Sequence, residues 1–233
     1  MKIALLGYGR MGKEIEKIAI SRGHEIVVRK DVGAIIDITL ADVAIDFSVP
    51  DSAFNNISNC IQNTIPVISG TTGWLERYEE VVALCKNKKG AFMYASNFSL
   101  GVNIFFELNK KFAKMMHTLE NYNISIEEIH HTKKLDAPSG TAITLAEGII
   151  ENSSKENWEL GTSTSEENIS IDAKRIPEVP GTHIVLYASE VDSIEIKHTA
   201  HSRQGFALGA VVAAEWILGK TGVFSMKDVL NIR

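Results

Sequence analysis

Lys2-Ile3-Ala4-Leu5-Leu6-Gly7-Tyr8-Gly9-Arg10-Met11-Gly12, with the run to Arg22-Gly23 and then His24-Glu25-Ile26-Val27-Val28, is the stretch that decides how this chain folds. Lys2 to Leu6 is apolar and of strand length. A glycine turn follows, then a helix-like run closed by Gly23, and a second strand from His24 to Val28. Strand, G-x-G-x-x-G, helix, strand is the context in which this spacing carries chemistry. The glycines permit a tight turn and let backbone amides approach a pyrophosphate at a helix start. Gly7, Tyr8, Gly9, Arg10, Met11 and Gly12 are therefore candidate dinucleotide contacts. The plain alternative is a glycine-rich turn in an ordinary βαβ unit.

The end of the second strand bears on the cofactor. Arg29 and Lys30 can pair a 2′-phosphate, whereas Asp31, about 20 residues beyond the fingerprint, can bind a 2′-hydroxyl. Both features are present, which points to use of both NADH and NADPH. Further βα units follow: a strand from Val43 to Phe47 with a helix to about Ile61, and a strand from Pro66 to Ser69 ending in Gly70-Thr71-Thr72-Gly73. A helix from Trp74 to about Lys86 comes next, then a strand from Ala91 to Ala95 ending in Ser96-Asn97-Phe98. Each strand stops in small or polar residues at the edge where open parallel sheets bind ligands. The crossover from Arg29 to Ala41 is short and holds little helix. The expected fold is α/β, a Rossmann-type parallel sheet.

Composition narrows the function classes. With 45% hydrophobic and 23% charged residues the chain has the material for a packed core, and disorder is not expected. A net charge of −5 argues against a general nucleic-acid or membrane-surface binder. No apolar run approaches the roughly 20 residues of a membrane span, and the first residues enter a strand rather than a cleavable signal. Cys60 and Cys85 have neither zinc nor disulfide-scaffold spacing, so a buried structural role in a cytosolic protein is expected.

From Leu100 the pattern changes. Val102, Phe105, Phe106, Leu108, Phe112, Met115, Met116 and Leu119 suit a long amphipathic helix with these residues as its core stripe. After a helix from Thr141 to Ile150, the polar run Asn152 to Asn168 reads as an exposed excursion. Strand-like runs Ile169 to Arg175, His183 to Ala188 and Ser193 to His198 then bunch without helices, the mark of a second, α+β domain on a mixed sheet. An alanine-rich helix to Leu218 returns to helical spacing. The expected division is 1–99 plus 207–233 for the dinucleotide, and 100–206 for substrate binding and oligomerisation.

The densest chemistry lies in His130-His131-Thr132-Lys133-Lys134-Leu135-Asp136-Ala137-Pro138-Ser139-Gly140-Thr141, between the strand Asn123 to Ile129 and the following helix. Free N–H groups and the positive dipole end at that helix start suit an anion. A neutral imidazole and a lysine side by side lower each other's proton affinity and can act as acids. Taken singly, each residue also has a bland reading: a hydrogen-bonded histidine pair, solvated lysines, a capped turn.

These residues give the chain a close resemblance to the 4-hydroxy-tetrahydrodipicolinate (dihydrodipicolinate) reductase family of diaminopimelate and lysine biosynthesis. The resemblance runs through Gly7-x-Gly9-Arg10-Met11-Gly12, Ile45-Asp46-Phe47-Ser48, Gly70-Thr71-Thr72-Gly73 and Ser96-Asn97-Phe98-Ser99-x-Gly101-Val102-Asn103. It continues through His130-His131 with Lys134-x-Asp136-Ala137-Pro138-Ser139-Gly140-Thr141, and His198 with Ser202-Arg203-x-x-Phe206-Ala207. It implies hydride delivery from NAD(P)H to C4 of a cyclic dicarboxylated imine after loss of its 4-hydroxyl as water. By position, His130 and Lys134 would be the acid–base pair, His131 a substrate contact, and Gly140 with Thr141 a carboxylate site. Cofactor contacts would fall on Gly7 to Gly12, Arg29 to Asp31, Phe47, Gly70, Thr71, Thr72, Ala95, Ser96, Asn97 and Phe98. A cytoplasmic homotetramer without a metal is also implied. The segment Arg175 to His183 departs from the family pattern, so no role is carried onto Arg175. Two other readings of the first half are an oxidoreductase of another small acid and a non-catalytic NAD(P)H sensor. A metallohydrolase using His130, His131 and Asp136 is disfavoured, because adjacent strand residues face opposite ways.

Overall fold

The computed structural model describes residues 1–31, 36–119, 121–202 and 204–232. The chain divides into two units, Met1–Asn103 with Gln204–Arg233, and Ile104–Arg203. In the first, β1 (Lys2–Leu6), β2 (Glu25–Lys30), β3 (Val43–Asp46), β4 (Val67–Ser69), β5 (Ala91–Tyr94) and β11 (Gly222–Phe224) form one sheet. Its order is β11-β5-β4-β3-β1-β2 and every neighbouring pair is parallel. A parallel sheet is covered on both faces, so its strands read as unbroken apolar runs. Alternation along β1 sends Ile3 and Leu5 into the layer with α1 (Arg10–Ser21) and α6 (Gln204–Ile217). Ala4 and Leu6 enter the opposite layer with α2 (Pro50–Gln62) and α3 (Tyr78–Lys88). Gly209 lets α6 approach closely: a Cβ there would stand 1.7 Å from the Phe98 carbonyl oxygen.

The second unit carries β6 (Asn123–His130), β7 (Asn157–Leu160), β8 (Asn168–Arg175), β9 (Gly181–Ala188) and β10 (Ser193–Ala200), ordered β10-β9-β6-β8-β7. β9 is antiparallel to β6 and β10, while β6, β8 and β7 are mutually parallel, so the sheet is mixed. Phe105, Ala113 and Met116 of α4 (Leu100–Met116) and Ala142, Leu145, Ala146 and Ile149 of α5 (Gly140–Ile150) pack on Ile126, Ile169, Ile171, Val185 and Tyr187 of the sheet.

Several elements differ from the sequence reading. Leu108 and Met115 of the expected core stripe are exposed, because only one side of α4 meets apolar neighbours, and Leu119, also exposed, lies past the end of α4. The supposed excursion 152–168 contains β7, which hydrogen-bonds along β8 and is anchored by half-buried Trp158. The helix read from Trp74 begins as a 3-10 turn, Leu75–Arg77, and becomes α-helical only at Tyr78. In agreement with the reading, the crossover after β2 shows among its described residues only a 3-10 turn, Ile38–Leu40. Residues 32–35 of that crossover, and Arg203 of the quoted motif, lie outside the described residues. Cys60 and Cys85 are free and buried. Among the described residues no helix is long and apolar enough to cross a membrane.

Candidate active site

The glycine turn of the first unit is shaped by backbone clearance. Gly7 has φ of +98°, and a Cβ there would lie 2.1 Å from the Phe47 carbonyl oxygen. At Gly12 it would lie 2.3 Å from the carbonyl oxygen of Gly7. A Cβ on Gly9 would meet nothing within 4 Å. The turn is thus closed on its protein side and open where Gly9 starts α1, the arrangement that lets backbone amides reach a pyrophosphate. A cavity of about 540 Å³ lies beside it, lined by Gly7, Tyr8, Gly9, Lys30, Asp31 and Phe47 among others. These features fit a dinucleotide. Gly7→Ala is expected to destabilise the protein by roughly 2–3 kcal/mol, from strained φ and the carbonyl clash. A urea titration should show a lower midpoint at unchanged slope.

Asp46 organises the other wall. It ends β3 fully buried, and its carboxylate accepts hydrogen bonds from Ser48 Oγ (2.7 Å), Asn56 Nδ2 (3.1 Å), Ser69 Oγ (2.8 Å) and Thr71 Oγ1 (2.7 Å). Burial pushes its pKa up, against the pull of these donors. The loops after β3 and β4 are tied together through this one group, and Ser48 N–H adds a bond to Thr71 Oγ1. Gly70 has no side chain because the Phe47 ring occupies the space, and that ring lies 5.6 Å from the ring of Phe98. Phe98 is buried, Thr72 and Ser96 are exposed, and Asn97 Oδ1 accepts from Ser99 N–H. Arg10 is exposed, Met11 packs against the core, and Ala95 is half-buried beside it. Arg29 turns toward Glu16 and does not line the cavity.

In the second unit the strand register does the assembling. Glu128 lies opposite His183 in the β6–β9 ladder, and His130 lies beside Arg175 in the β6–β8 ladder. Glu128 is fully buried. Its Oε1 accepts from Arg175 Nη2 (3.1 Å) and from Ser139 N–H (3.3 Å), and its Oε2 forms an ion pair with His130 Nδ1. Burial alone would raise its pKa, but His130, Arg175 and Ser139 hold it down to about 2. Arg175 also donates to the Asp136 carbonyl (2.7 Å), and Ile176 N–H donates to the His130 carbonyl (2.8 Å). The His130 and Asp136 carbonyls are therefore both fastened to the end of β8, by Arg175 and the residue that follows it.

The helix start is fastened as well. Ser139 caps α5, accepting from Ala142 N–H (3.2 Å), while its hydroxyl is 3.0 Å from His183 Nε2. His183 is buried, and that burial, reinforced by the charge of His130, lowers its pKa to about 3. A neutral ring accepts the Ser139 hydroxyl proton. Ahead of the cap, a Cβ on Gly140 would meet nothing within 4 Å. The first N–H groups of a helix have no partner within it, so those of Gly140 and Thr141 are left for a group from outside the helix.

Lys134 does not sit as an ammonium pressed on a neutral imidazole. Its Nζ donates to both oxygens of Asp136, at 2.8 and 2.7 Å, and Lys134 in turn holds the Asp136 pKa down. His131 Nδ1 is buried with no hydrogen-bond partner among the described residues. The His130, His131, Asp136 set does not gather as a metal cluster among those residues; Glu128, His130 and His183 do, within 4.8 Å. Arg175 already presses a cation on that carboxylate, so the trio reads as a hydrogen-bonded network. Glu128 is the residue that sequence reasoning passes over, although a signal exists. It shares the inward face of β6 with Ile126, and a carboxylate on an apolar face needs partners.

A Rossmann-type sheet with a glycine turn, in a chain whose mixed-sheet unit bears a His-Lys loop and a capped helix start, defines a pyridine-nucleotide oxidoreductase of two units. The chain belongs to the dihydrodipicolinate reductase family: the family models described as "Dihydrodipicolinate reductase, N-terminus" and "Dihydrodipicolinate reductase, C-terminus" match residues 1–98 and 101–230. It is 59% identical to the 4-hydroxy-tetrahydrodipicolinate reductase of Christiangramia forsetii, over 99% of this chain and 98% of that protein. It is 36% identical to the enzyme of that name from Thermosipho africanus, over 99% and 98%. Among solved structures, a dipicolinate-bound dihydrodipicolinate reductase from Paenisporosarcina sp. TG-14 shares the fold, with a TM-score of 0.77 at 24% identity over 100% of this chain and 99% of that one.

Proposed function

We propose that this chain reduces 4-hydroxy-tetrahydrodipicolinate, with loss of water, to tetrahydrodipicolinate in diaminopimelate and lysine biosynthesis. The observation that carries the reading is the near full-length identity of 59% to a reductase of that name. The buried network around the His-Lys loop supports it. NADH or NADPH is held by the turn Gly7 to Gly12, with Lys30, Asp31, Phe47, Gly70 to Thr72 and Ala95 to Phe98 around it. Bound NAD(P)H supplies the hydride, which goes to C4 of the substrate.

The protein's own groups do the rest. As C4 gains the hydride, the electron pair it displaces moves toward the ring nitrogen, and an acid must supply a proton there. Lys134 is that acid, with His130 as its partner and His131 against the substrate. One substrate carboxylate binds the N–H groups of Gly140 and Thr141, where the helix dipole and charge-assisted hydrogen bonds favour an anion. Glu128 and Arg175 act through His130 and the loop, as positioning residues. The protein works as a cytoplasmic homotetramer.

The test is an absorbance assay that follows oxidation of the reduced nicotinamide, with the substrate generated in situ and each nucleotide supplied in turn. Turnover with both is expected. Reduction of some other small acid, with none of the dipicolinate-type imine, would overturn the reading.

A further inference from the structure

We infer that Glu16 sets this protein's preference between the two nicotinamide dinucleotides, by holding Arg29 away from a 2′-phosphate. The inference rests on the reading of the chain as an NAD(P)H-dependent reductase. Arg29 stands next to the last residue of β2, the strand end where the adenosine ribose lies in sheets of this topology. A guanidinium there is the natural partner of a 2′-phosphate, which it takes through two parallel hydrogen bonds.

Here that guanidinium is already committed. Its Nε donates to Glu16 Oε1 at 3.0 Å, its Nη2 donates to the same oxygen, and its Nη1 donates to the Ile26 carbonyl at 3.3 Å. Tyr8, a residue of the glycine turn that lines the cavity, donates its hydroxyl to the other Glu16 oxygen. The Tyr8 ring centroid lies 5.9 Å from the guanidinium carbon. Glu16 thus grips the phosphate ligand and a wall of the nucleotide cavity at once. The Glu16 side chain is 14% exposed, whereas that of Arg29 is 42% exposed; Arg29 is turned off the cavity wall by this pairing, beside Lys30, which does line it. The other basic residue of this strand end, Lys30, lines the cavity and donates to Asn56 Oδ1 at 2.7 Å.

A 2′-phosphate gains Arg29 only by breaking its ion pair, and it then faces the freed Glu16 carboxylate, a like charge. A 2′-hydroxyl makes no such demand. Glu16 consequently weakens NADPH use and leaves NADH use nearly untouched. Glu16→Gln removes the charge and keeps an acceptor for the Tyr8 hydroxyl.

The experiment measures kcat/KM for each nucleotide in the wild type, Glu16→Gln, Arg29→Gln and the double variant. Glu16→Gln is expected to raise the NADPH-to-NADH ratio about tenfold, the size of one charge-assisted contact. In the Arg29→Gln background the same change should move the ratio less than twofold. Calorimetric titration with adenosine 2′,5′-bisphosphate and with adenosine 5′-monophosphate gives a readout independent of turnover: Glu16→Gln should tighten only the former, again about tenfold. An unchanged ratio with unchanged bisphosphate affinity overturns the inference, as does a gain that persists without Arg29. A wild type that oxidises neither nucleotide would sink the functional reading instead, and the titration would still judge Glu16.

Discussion

Lys134→Ala is expected to lower kcat by about 10²–10⁴, the usual range for loss of a positioned general acid, with nucleotide binding intact. The ammonium is held by both oxygens of Asp136, a carboxylate largely open to solvent. If Lys134 is the acid, a dicarboxylate substrate would compete with Asp136 for the same cation, and Asp136 would hold Lys134 in place until then. Lys134→Arg separates charge from proton donation: a guanidinium attracts the carboxylates but does not give up a proton near neutrality. It should keep KM within a few-fold and still lose most of kcat. Steady-state kinetics on both variants, with nucleotide affinity measured separately, check this. A Lys134→Ala protein with more than half the wild-type kcat would mean that the proton comes from elsewhere.

The glycine turn is legible from sequence because two of its glycines answer a hard constraint, a carbonyl 2.1 Å from a Cβ at Gly7 and 2.3 Å at Gly12, while Gly9 keeps the side toward the cavity open. The parallel strands are legible because burial on both faces leaves apolar runs. The His-Lys loop is legible as a concentration of chemistry, but its internal wiring is not. Lys134 chooses Asp136 over an imidazole, and no spacing rule distinguishes those outcomes. Glu128 meets Arg175 across 47 residues, and Asp46 meets Thr71 across 25. Such partners are set by strand order, which local pattern does not encode. The same holds for β7 and β11, which are four and three residues long and defined by the neighbours they pair with. Met115 shows the opposite failure: its spacing fits a core stripe, yet the residue is 73% exposed.

The buried network makes acid sensitivity the second large effect. His183 has a folded pKa of about 3 against an ordinary 6.5, owing to burial and then to the charge of His130. His198 and Lys134 push the same way, while Glu128 opposes them. Between pH 6.5 and pH 3 the unfolded chain takes up a proton that the folded chain refuses, so stability is complete above the window and falls as the pH drops through it. At 1.36 kcal/mol per unit, the full loss from this one ring is roughly 3–5 kcal/mol. Glu128 acts in the same direction but lower, from its ordinary 4.5 down to about 2, because its carboxylate is stabilised while charged. The two windows overlap only in part, and that separates them experimentally. His183→Gln keeps a partner for Ser139 and removes the titrating ring. Its stability should therefore fall far less than that of the wild type between pH 7 and pH 5, where Glu128 contributes little. Urea midpoints across that range measure the difference. Equal slopes in the two proteins would show that His183 carries its proton in the fold, and the Ser139 cap would then need another acceptor for its hydroxyl.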